Sequence, residues 1–248
     1  MVDNSSEDMG LASVLNQFPK TQLIDNSTNV GFACANNQGA EIAKGDFLLF
    51  INPDTTMKEG GIEAMLGHLR SDPSVGIIGP KVLNPNGTTQ FSCRKFPTIW
   101  SGLFNKYSLM TRLFPNNRYS RDYLMSDYNH NSTRSVDWVS GCCMMIPGII
   151  FRRANGFDEN YFLFNEDIDI CQAIKKNGYK VNYFPSSQVS HKISSSNARM
   201  APQTIIKRHR GMIYYYKKHH KTNSLAQWMV SAMVTIRCFF QLFFNIIK

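Results

Sequence analysis

The chain of 248 residues, 43% hydrophobic and 18% charged, is long and apolar enough for one sizeable core and lacks the composition of a disordered chain. Its net charge of +9 favours an anionic partner: nucleic acid, an anionic membrane surface or a phosphorylated small molecule. The spacing of the six cysteines argues against a zinc site and a disulfide framework and favours a reducing compartment. The polar, acidic N-terminus lacks the pattern of a signal peptide.

The first half of the chain alternates short apolar segments with helical ones. We predict strands at 21–25, 47–51 and 75–78, and helices at 32–44 and 58–69. The segment 47–51 is apolar at every position, as expected of a strand buried on both faces. This alternation predicts an α/β fold with a mostly parallel sheet and helices on both faces.

The second half begins with an irregular stretch. Residues 97–134 are rich in aromatic, basic and asparagine side chains, and we interpret them as a variable insertion or lid. Strand-like segments follow at 136–139 and 141–146, then a helix at 165–177 and a last strand at 179–184.

Two helical segments close the chain, at 202–221 and 224–247, and the first carries much of the basic charge. Residues 225–247 are long enough to cross a bilayer, but Arg237 would be costly near its centre. We expect an amphipathic helix that lies on the membrane, with the basic segment on anionic headgroups. A helix packed on the protein's own core is the alternative. The polar positions that form one stripe are Gln227, Ser231, Thr235, Arg237, Gln241 and Asn245.

One candidate for chemistry is the tripeptide Asn52-Pro53-Asp54, directly after the predicted strand 47–51. Ligands of open α/β sheets bind beyond the carboxyl ends of strands. Asp54 is a hard oxygen ligand suited to Mg²⁺ or Mn²⁺, and Asn52 could add an amide oxygen. The same tripeptide is also a good turn sequence, which is the alternative interpretation.

A second candidate is the acidic cluster Glu166, Asp167 and Asp169 in the first turn of a predicted helix. The helix dipole keeps a carboxylate there ionised and able to act as a general base. Ordinary placement of acids at a helix N-terminus is the alternative. Glu166 and Asp169 are three residues apart and share a side, while Asp167 projects differently.

Two further segments are weak by themselves. His191 follows the last predicted strand, and a lone histidine is more often structural than a ligand. Residues 2–6, V-D-N-S-S, taken alone are a helix N-cap signature.

In their order and spacing, these segments together resemble the bacterial family 2 glycosyltransferases, especially the rhamnosyltransferase-like branch. The resemblance covers about residues 1–195. The matching segments are V-D-N-S-S at 2–6, N-V-G-F-A at 29–33, N-N-Q-G at 36–39, F-I-N-P-D at 50–54, V-G-I-I-G-P at 75–80, W-V-S-G at 138–141, G-F-D-E at 156–159, E-D-I-D-I-C at 166–171 and His191.

The resemblance implies a GT-A, Rossmann-like domain over residues 1–200, followed by basic and amphipathic helices in 201–248. It implies that Asp167 is the catalytic base of a direct, inverting displacement and that Asp54 and His191 hold a divalent metal, Mg²⁺ or Mn²⁺. Trp138, Glu166 and Asp169 would support the acceptor. Asp3 would contact the nucleotide base, and the nucleotide-sugar-binding set would be Asp3, Asn4, Gly31, Phe32, Asn37, Asn52, Asp54 and Gly141.

The resemblance also implies partners and a location. The donor would be a dTDP- or UDP-linked sugar, with rhamnose as a candidate, and the acceptor a glycan or lipid-linked glycan. We expect a cytoplasmic protein at the inner face of the cell membrane, with peripheral membrane contact through 202–247. Nucleic acid is not expected as a partner, because the basic cluster lies outside the predicted sheet and no nucleic-acid motif accompanies it.

Three departures from the family pattern qualify this prediction. The family opens with a strand and a helix before the V-D-N segment, whereas this chain begins at Met1, so we expect unpaired strand edges and apolar surface. Asn52 stands in place of a first aspartate, and Ala173 in place of a usual arginine. A truncated, catalytically silent relative, or half of a split enzyme, therefore remains the alternative function.

Overall fold

The computed structural model describes residues 1–6, 11–98, 114, 116–192 and 201–247. The chain forms two compact units. The first consists of Met1–Gly45, Gly156–Glu166 and Met200–Lys248, and the second of Asp46–Asn155 and Asp167–Arg199. Part of the predicted insertion at 97–134, namely 99–113 and 115, lies outside the described residues.

The first unit combines a short strand pair with helices. Strand β1 (Val2–Asp3) pairs parallel with β2 (Ile24–Asp25). The helix Pro202–His219, α7, has proline in its first turn, where the missing N–H is not needed. The helices described in this unit are α1 (Leu11–Gln17), α2 (Phe32–Ile42), α7 (Pro202–His219) and α8 (Ser224–Ile247).

The second unit is built on a seven-stranded sheet. Its strands run in the order β3–β10–β5–β11–β4, with β6 on β5 and β8 on β11, while β7 pairs with β9 separately. The strands are β3 (Phe47–Ile51), β4 (Thr55–Met57), β5 (Val75–Leu83), β6 (Thr89–Gln90), β7 (Cys93–Arg94), β8 (Arg134–Val136), β9 (Trp138–Val139), β10 (Cys143–Pro147) and β11 (Lys180–His191). The helices are α3 (Gly61–Ser71), α4 (Arg118–Leu124), α5 (Gly148–Arg153) and α6 (Glu166–Lys176), whose first residue falls in the first unit.

The sheet is mixed, whereas the sequence predicted mostly parallel pairing: β4, β6, β8 and β10 all pair antiparallel with their neighbours. Strands β5 and β11 pair parallel, but β10 pairs antiparallel with both β3 and β5. Hence β3, β5 and β11 run the same way, as the alternation of strands and helices predicted, and β10 is inserted between them in reverse. The hydrophobicity of a run such as β10 carries no signal of strand direction. For this reason the mixed pairing could not be predicted from the sequence.

The last strand is longer than predicted. The sequence places its end at Phe184, before Pro185, whereas β11 continues to His191. The register with β5 shifts between Phe184 and Gln188, so that proline lies in an irregularity where it does not interrupt the ladder. This continuation places His191 at the end of a core strand.

Helices α3 and α6 both pack on the sheet. Met65 and Leu69 of α3 lie against Val75, Ile78 and Met145, all buried. Full burial of each such side chain stabilises the fold by about 1.5–3 kcal/mol. At Gly76 of β5 a Cβ atom would lie 2.5 Å from Cγ2 of Ile174 in α6, so glycine is required for the close approach of this helix.

Candidate active site

Asp54 and His191 meet through the pairing of two strands. Asp54 lies in the turn after β3. The Thr55 N–H closes this turn by donating to the Asn52 carbonyl over 3.1 Å. The Asn52 N–H donates to the Cys142 carbonyl over 3.0 Å. Strand β4 begins after this turn and pairs with the end of β11, with Thr55 opposite His191. His191 Nε2 thereby lies 3.3 Å from Asp54 Oδ1. The tripeptide Asn52-Pro53-Asp54 is thus a turn. Its Asp54 also forms a two-residue cluster with His191.

Gln90 fixes the orientation of the His191 ring. Gln90 Oε1 lies 3.2 Å from His191 Nδ1, and Gln90 Nε2 donates to the His191 carbonyl over 2.8 Å. Since the amide oxygen can only accept, Nδ1 donates to it, and Nε2 is the ring nitrogen on the side of the Asp54 carboxylate; in a neutral ring with this tautomer, Nε2 is an acceptor. Two acceptors that face each other fit a divalent cation between them, with carboxylate and imidazole as suitable ligands. No sequence motif pointed to Gln90, which lies in a two-residue strand.

The Asp167 carboxylate is held by backbone N–H groups at the start of α6. Its Oδ2 accepts from the Gly141 N–H over 3.1 Å and its Oδ1 from the Ile168 N–H over 2.9 Å. Burial raises the pKa of Asp167, and these two N–H groups and the positive charge of Arg94 offset that rise only in part. A Cβ at Gly141 would lie 3.3 Å from that of Asp167, so the glycine permits this close contact.

The other two acids of the cluster are buried. Glu166 is 5% exposed and Asp169 is 3% exposed, whereas Asp167 is only partly buried. Of the three carboxylates, Asp167 is therefore the one best placed to exchange a proton with a molecule that arrives from solvent. This separation agrees with the different projection of Asp167 predicted from helical spacing.

Trp138 is buried, and its polar atom is used internally. Its Nε1 donates to the Lys95 carbonyl over 2.9 Å, and the Arg94 guanidinium lies 5.3 Å from the centre of its ring. Arg94 is opposite Trp138 in the pairing of β7 with β9. Arg94 was not singled out from the sequence, because a single arginine in a two-residue strand has no motif around it.

In the first unit, Asp3 and Asn4 shape the loops that follow β1. Asp3 accepts hydrogen bonds from the backbone N–H and the hydroxyl of Ser6. Asn4 Oδ1 accepts from the Val30 N–H over 2.9 Å, and its Nδ2 donates to the Gly31 carbonyl over 3.3 Å. The V-D-N-S-S segment is therefore a strand end and turn, and Asn4 connects it to the loop before α2.

Gly31, Phe32 and Asn37 bind the segment around residue 160 of the same unit. Gly31 has a φ of 94°, and a Cβ there would lie 2.7 Å from the Phe162 carbonyl, to which the Phe32 N–H donates over 2.7 Å. The Asn37 amide donates to the Phe157 carbonyl over 2.8 Å and accepts from the Phe157 N–H over 2.9 Å. Within the units, the structure thus joins Asn4 to Gly31, Asp54 to His191, and Asp167 to Gly141.

Comparison with known proteins identifies the family of this chain. The family described as Glycosyl transferase family 2 matches residues 1–137. N-acetylglucosaminyl-diphospho-decaprenol L-rhamnosyltransferase of Mycobacterium tuberculosis is 27% identical over 231 residues, which are 89% of this chain and 74% of that protein. Rhamnosyltransferase WbbL of Escherichia coli K12 is 27% identical over 150 residues, and the match covers 60% of this chain and 53% of WbbL.

Two solved structures share the fold. GalNAc-T7 with UDP, GalNAc and Mn²⁺ superposes with a TM-score of 0.62 at 16% identity, covering 87% of this chain and 40% of that one. The mannosyltransferase PcManGT from Pyrobaculum calidifontis, in complex with GDP-Man and Mn²⁺, gives 0.55 at 16% identity, covering 98% and 62%. The predicted GT-A class of α/β fold is confirmed.

Proposed function

Because this chain belongs to glycosyl transferase family 2, we propose that it moves a sugar from a nucleotide diphosphate donor to an acceptor hydroxyl, with inversion at the anomeric carbon. The observation that carries the proposal is the Asp167 carboxylate. It is partly buried, it is held by the Gly141 and Ile168 N–H groups, and its pKa is raised by burial. A raised pKa brings a carboxylate nearer to the range in which a general base is effective.

Asp167 takes the proton of the acceptor hydroxyl as the reaction proceeds. The acceptor oxygen forms its bond to the anomeric carbon while the bond from that carbon to the diphosphate oxygen breaks, and the electron pair leaves with the diphosphate. One such displacement inverts the anomeric centre. The Gly141 N–H stays on Oδ2 and keeps the carboxylate oriented while its charge is neutralised.

Asp54 and His191 would hold a divalent cation, Mg²⁺ or Mn²⁺. Gln90 presents the Nε2 lone pair of His191 to this position, and the Asp54 carboxylate supplies a hard oxygen. A cation bound there would neutralise charge on the diphosphate leaving group. Asn52 would border the same position from the turn that carries Asp54.

The nucleotide would lie against the loops that Asn4 and Gly31 form, with Asp3 on the base and Phe32 and Asn37 at the border. The side chains of Asn4 and Asn37 are engaged in internal hydrogen bonds, so their part would be to shape the pocket rather than to touch the donor. Trp138, Glu166 and Asp169, all buried, would support the acceptor side in the same indirect way.

The two bacterial relatives indicate the substrates we propose. Both are named as rhamnosyltransferases, and the mycobacterial one by a diphospho-decaprenol acceptor. We therefore propose rhamnose, carried on dTDP or UDP, as the donor sugar and a lipid-linked glycan as the acceptor. For this donor and acceptor we propose a location in the cytoplasm, at the inner face of the cell membrane.

The test is transfer by purified protein, with a panel of dTDP- and UDP-sugars, Mn²⁺ and a diphospholipid-linked N-acetylglucosamine acceptor. We expect a product whose anomeric configuration, read by NMR, is opposite to that of the donor. Asp167→Asn should lower the rate by about 10²–10⁴-fold and leave donor binding in place. Glu63→Gln on the exposed face of α3 is the control for loss of a carboxylate. Absence of both transfer and nucleotide binding in folded protein would favour the silent relative.

A further inference from the structure

Helix α8 turns most of its large apolar side chains outward. They recur every three or four residues, so they line one side of the helix, and they extend along about 29 Å of its axis. Each is at least half exposed. The set, here called the outward face, comprises Leu225, Trp228, Met229, Ile236, Phe239, Phe240, Phe243 and Phe244.

Except for the exposed Thr235, the polar stripe of α8 is partly buried, and two of its members lie near α7. Helices α7 and α8 pack on each other within the first unit. The Arg208 guanidinium of α7 donates to the Gln241 amide of α8. Burial, together with the positive charges of Arg208 and Arg237, lowers the pKa of His209 in α7, so Arg237 also lies near that helix. Gln227 and Ser231 are partly buried as well.

This arrangement is the reverse of that in a water-exposed amphipathic helix, whose polar side faces solvent. Contiguous exposed apolar surface of this size marks a site that is covered by another apolar phase. Scattered exposed side chains need no such explanation, but eight on one side of one helix do.

The charge near α8 indicates which apolar phase covers the outward face. Arg210 and Lys217 of α7 and Lys221 in the connection to α8 are exposed, and among the described residues none of the three has a carboxylate partner. The chain as a whole carries a net charge of +9. Phospholipid headgroups of an anionic membrane complement such cations, whereas an apolar patch on a second copy of the chain would bring like charges together.

We propose that α8 docks lengthwise on an anionic lipid bilayer, with its outward face inserted at the boundary of headgroups and acyl chains. By length and composition alone, Ser224–Asn245 could also cross a membrane. A crossing would separate the Gln241 amide from Arg208 or draw the charged α7 into the hydrocarbon, so docking in the plane of the interface is favoured. The proposal deepens the membrane location proposed above but rests on α7 and α8 alone.

The experiment is co-sedimentation of the full chain with vesicles, without donor or acceptor. We compare vesicles of phosphatidylcholine alone with vesicles that contain about 30 mol% phosphatidylglycerol. We expect binding to the anionic vesicles that weakens at about 0.5 M salt. Phe239→Ser/Phe243→Ser should reduce the bound fraction at least about tenfold. Phe18→Ser/Phe114→Ser, which removes two equally exposed phenylalanines outside α8, should bind like the wild type.

Three outcomes would overturn the proposal. The first is equal vesicle binding by the wild type and Phe239→Ser/Phe243→Ser. The second is wild-type protein that ignores vesicles and is a dimer by light scattering, with a monomeric Phe239→Ser/Phe243→Ser variant, because the outward face would then be a self-interface. The third is resistance to alkaline carbonate extraction, which indicates a spanning helix. Since no sugar is present, failure here is separate from failure of the proposed transfer.

Discussion

At the scale of single residues, the protonation of Asp167 depends on groups from three chain segments. The N–H groups of Gly141 and Ile168 and the charge of Arg94 stabilise the carboxylate, while burial destabilises it more. The raised pKa follows from that balance. Such a base takes up its proton, and becomes inactive, at a higher pH than an ordinary aspartate does.

We accordingly expect kcat/KM to fall as the pH is lowered, with a midpoint above the ordinary aspartate pKa of about 3.9. Replacement of Arg94 by Met removes a positive charge near Asp167, raises its pKa further and should move this acid limb to higher pH. Arg94→Lys keeps the charge and is the control. A pH–rate profile of the three proteins checks this, and an unmoved limb in Arg94→Met contradicts the assigned role of the guanidinium.

Activity should be sensitive to the addition of a single methyl group at Gly141. Its added Cβ would stand 3.3 Å from Asp167 Cβ, closer than such atoms normally pack, so Gly141→Ala should displace the carboxylate. We expect kcat to fall about 10- to 100-fold with little change in donor binding, because misplacement by about 1 Å can cost 10²-fold. Gly67→Ala, on an exposed turn of α3 with open space around it, is the matched control. Equal activity of both variants would show that Asp167 tolerates the shift.

Gln90 should control metal affinity through His191. Gln90→Leu removes both hydrogen bonds to His191, so the ring loses its fixed orientation. We expect the affinity for Mn²⁺, measured by calorimetry in the presence of a nucleoside diphosphate, to fall about 10–100-fold. Gln90→Glu retains an acceptor for the Nδ1 proton of His191, so its affinity for Mn²⁺ should fall less. An unchanged affinity in Gln90→Leu would argue against His191 as a ligand.

At the scale of elements, Asp158 attaches helix α7 to the segment before α6. Lys218 Nζ lies 2.6 Å and the Tyr214 hydroxyl 2.9 Å from its Oδ2, and Asn160 donates to its Oδ1. Burial alone would raise the pKa of Asp158, but these hydrogen bonds lower it to about 2. The folded state therefore binds this proton less readily than the unfolded chain does.

The lowered pKa predicts a pH-dependent contribution to stability. It is fully present above the unfolded value near 3.9 and is lost as the pH falls from there to about 2. Asp158→Asn should lower the free energy of unfolding at pH 7 by about 1–2 kcal/mol and flatten its dependence below pH 4. Denaturant titrations at several pH values measure both effects. Asp127→Asn, at an exposed carboxylate, should change neither.

The elements also show what the sequence could and could not predict. The apolar run 47–51 identified a strand, but β3 lies at the end of the sheet order and is not buried on both faces, since only Leu48 and Phe50 are buried and Ile51 is exposed. The acidic cluster at 166–169 identified the start of α6. The reversed direction of β10 was missed, because hydrophobicity does not encode direction. The polar stripe of α8 was predicted, but the side to which it points depends on Arg208, which is 33 residues away from Gln241. In the site, Gln90 and Arg94 act on His191 and Asp167 across long sequence separations, so no local pattern revealed them.

At the scale of the whole molecule, ligand binding should raise the free energy of unfolding and the Tm. A donor analogue that binds only the folded chain adds about 2.7 kcal/mol at a concentration of 100 Kd, which for this size corresponds to about 5–10 °C in Tm. We expect that rise with a nucleoside diphosphate and Mn²⁺ together, and a smaller one with either alone. In Asp54→Ala, the part of the rise in Tm that depends on Mn²⁺ should be lost. A wild type without any shift supports the silent relative.

The first unit is assembled from three separate stretches of chain, and this has a consequence for its synthesis. Gly31 and Asn37 bind partners near residue 160, and α7 and α8 come later still. At about 5–20 residues per second, a ribosome needs roughly 10–40 s to proceed from the end of the first stretch to the end of the last. The second unit can fold during that time, while the apolar residues of 1–45 wait without their partners. Residues 1–45 can therefore complete their contacts only after the later stretches of the first unit have been synthesised.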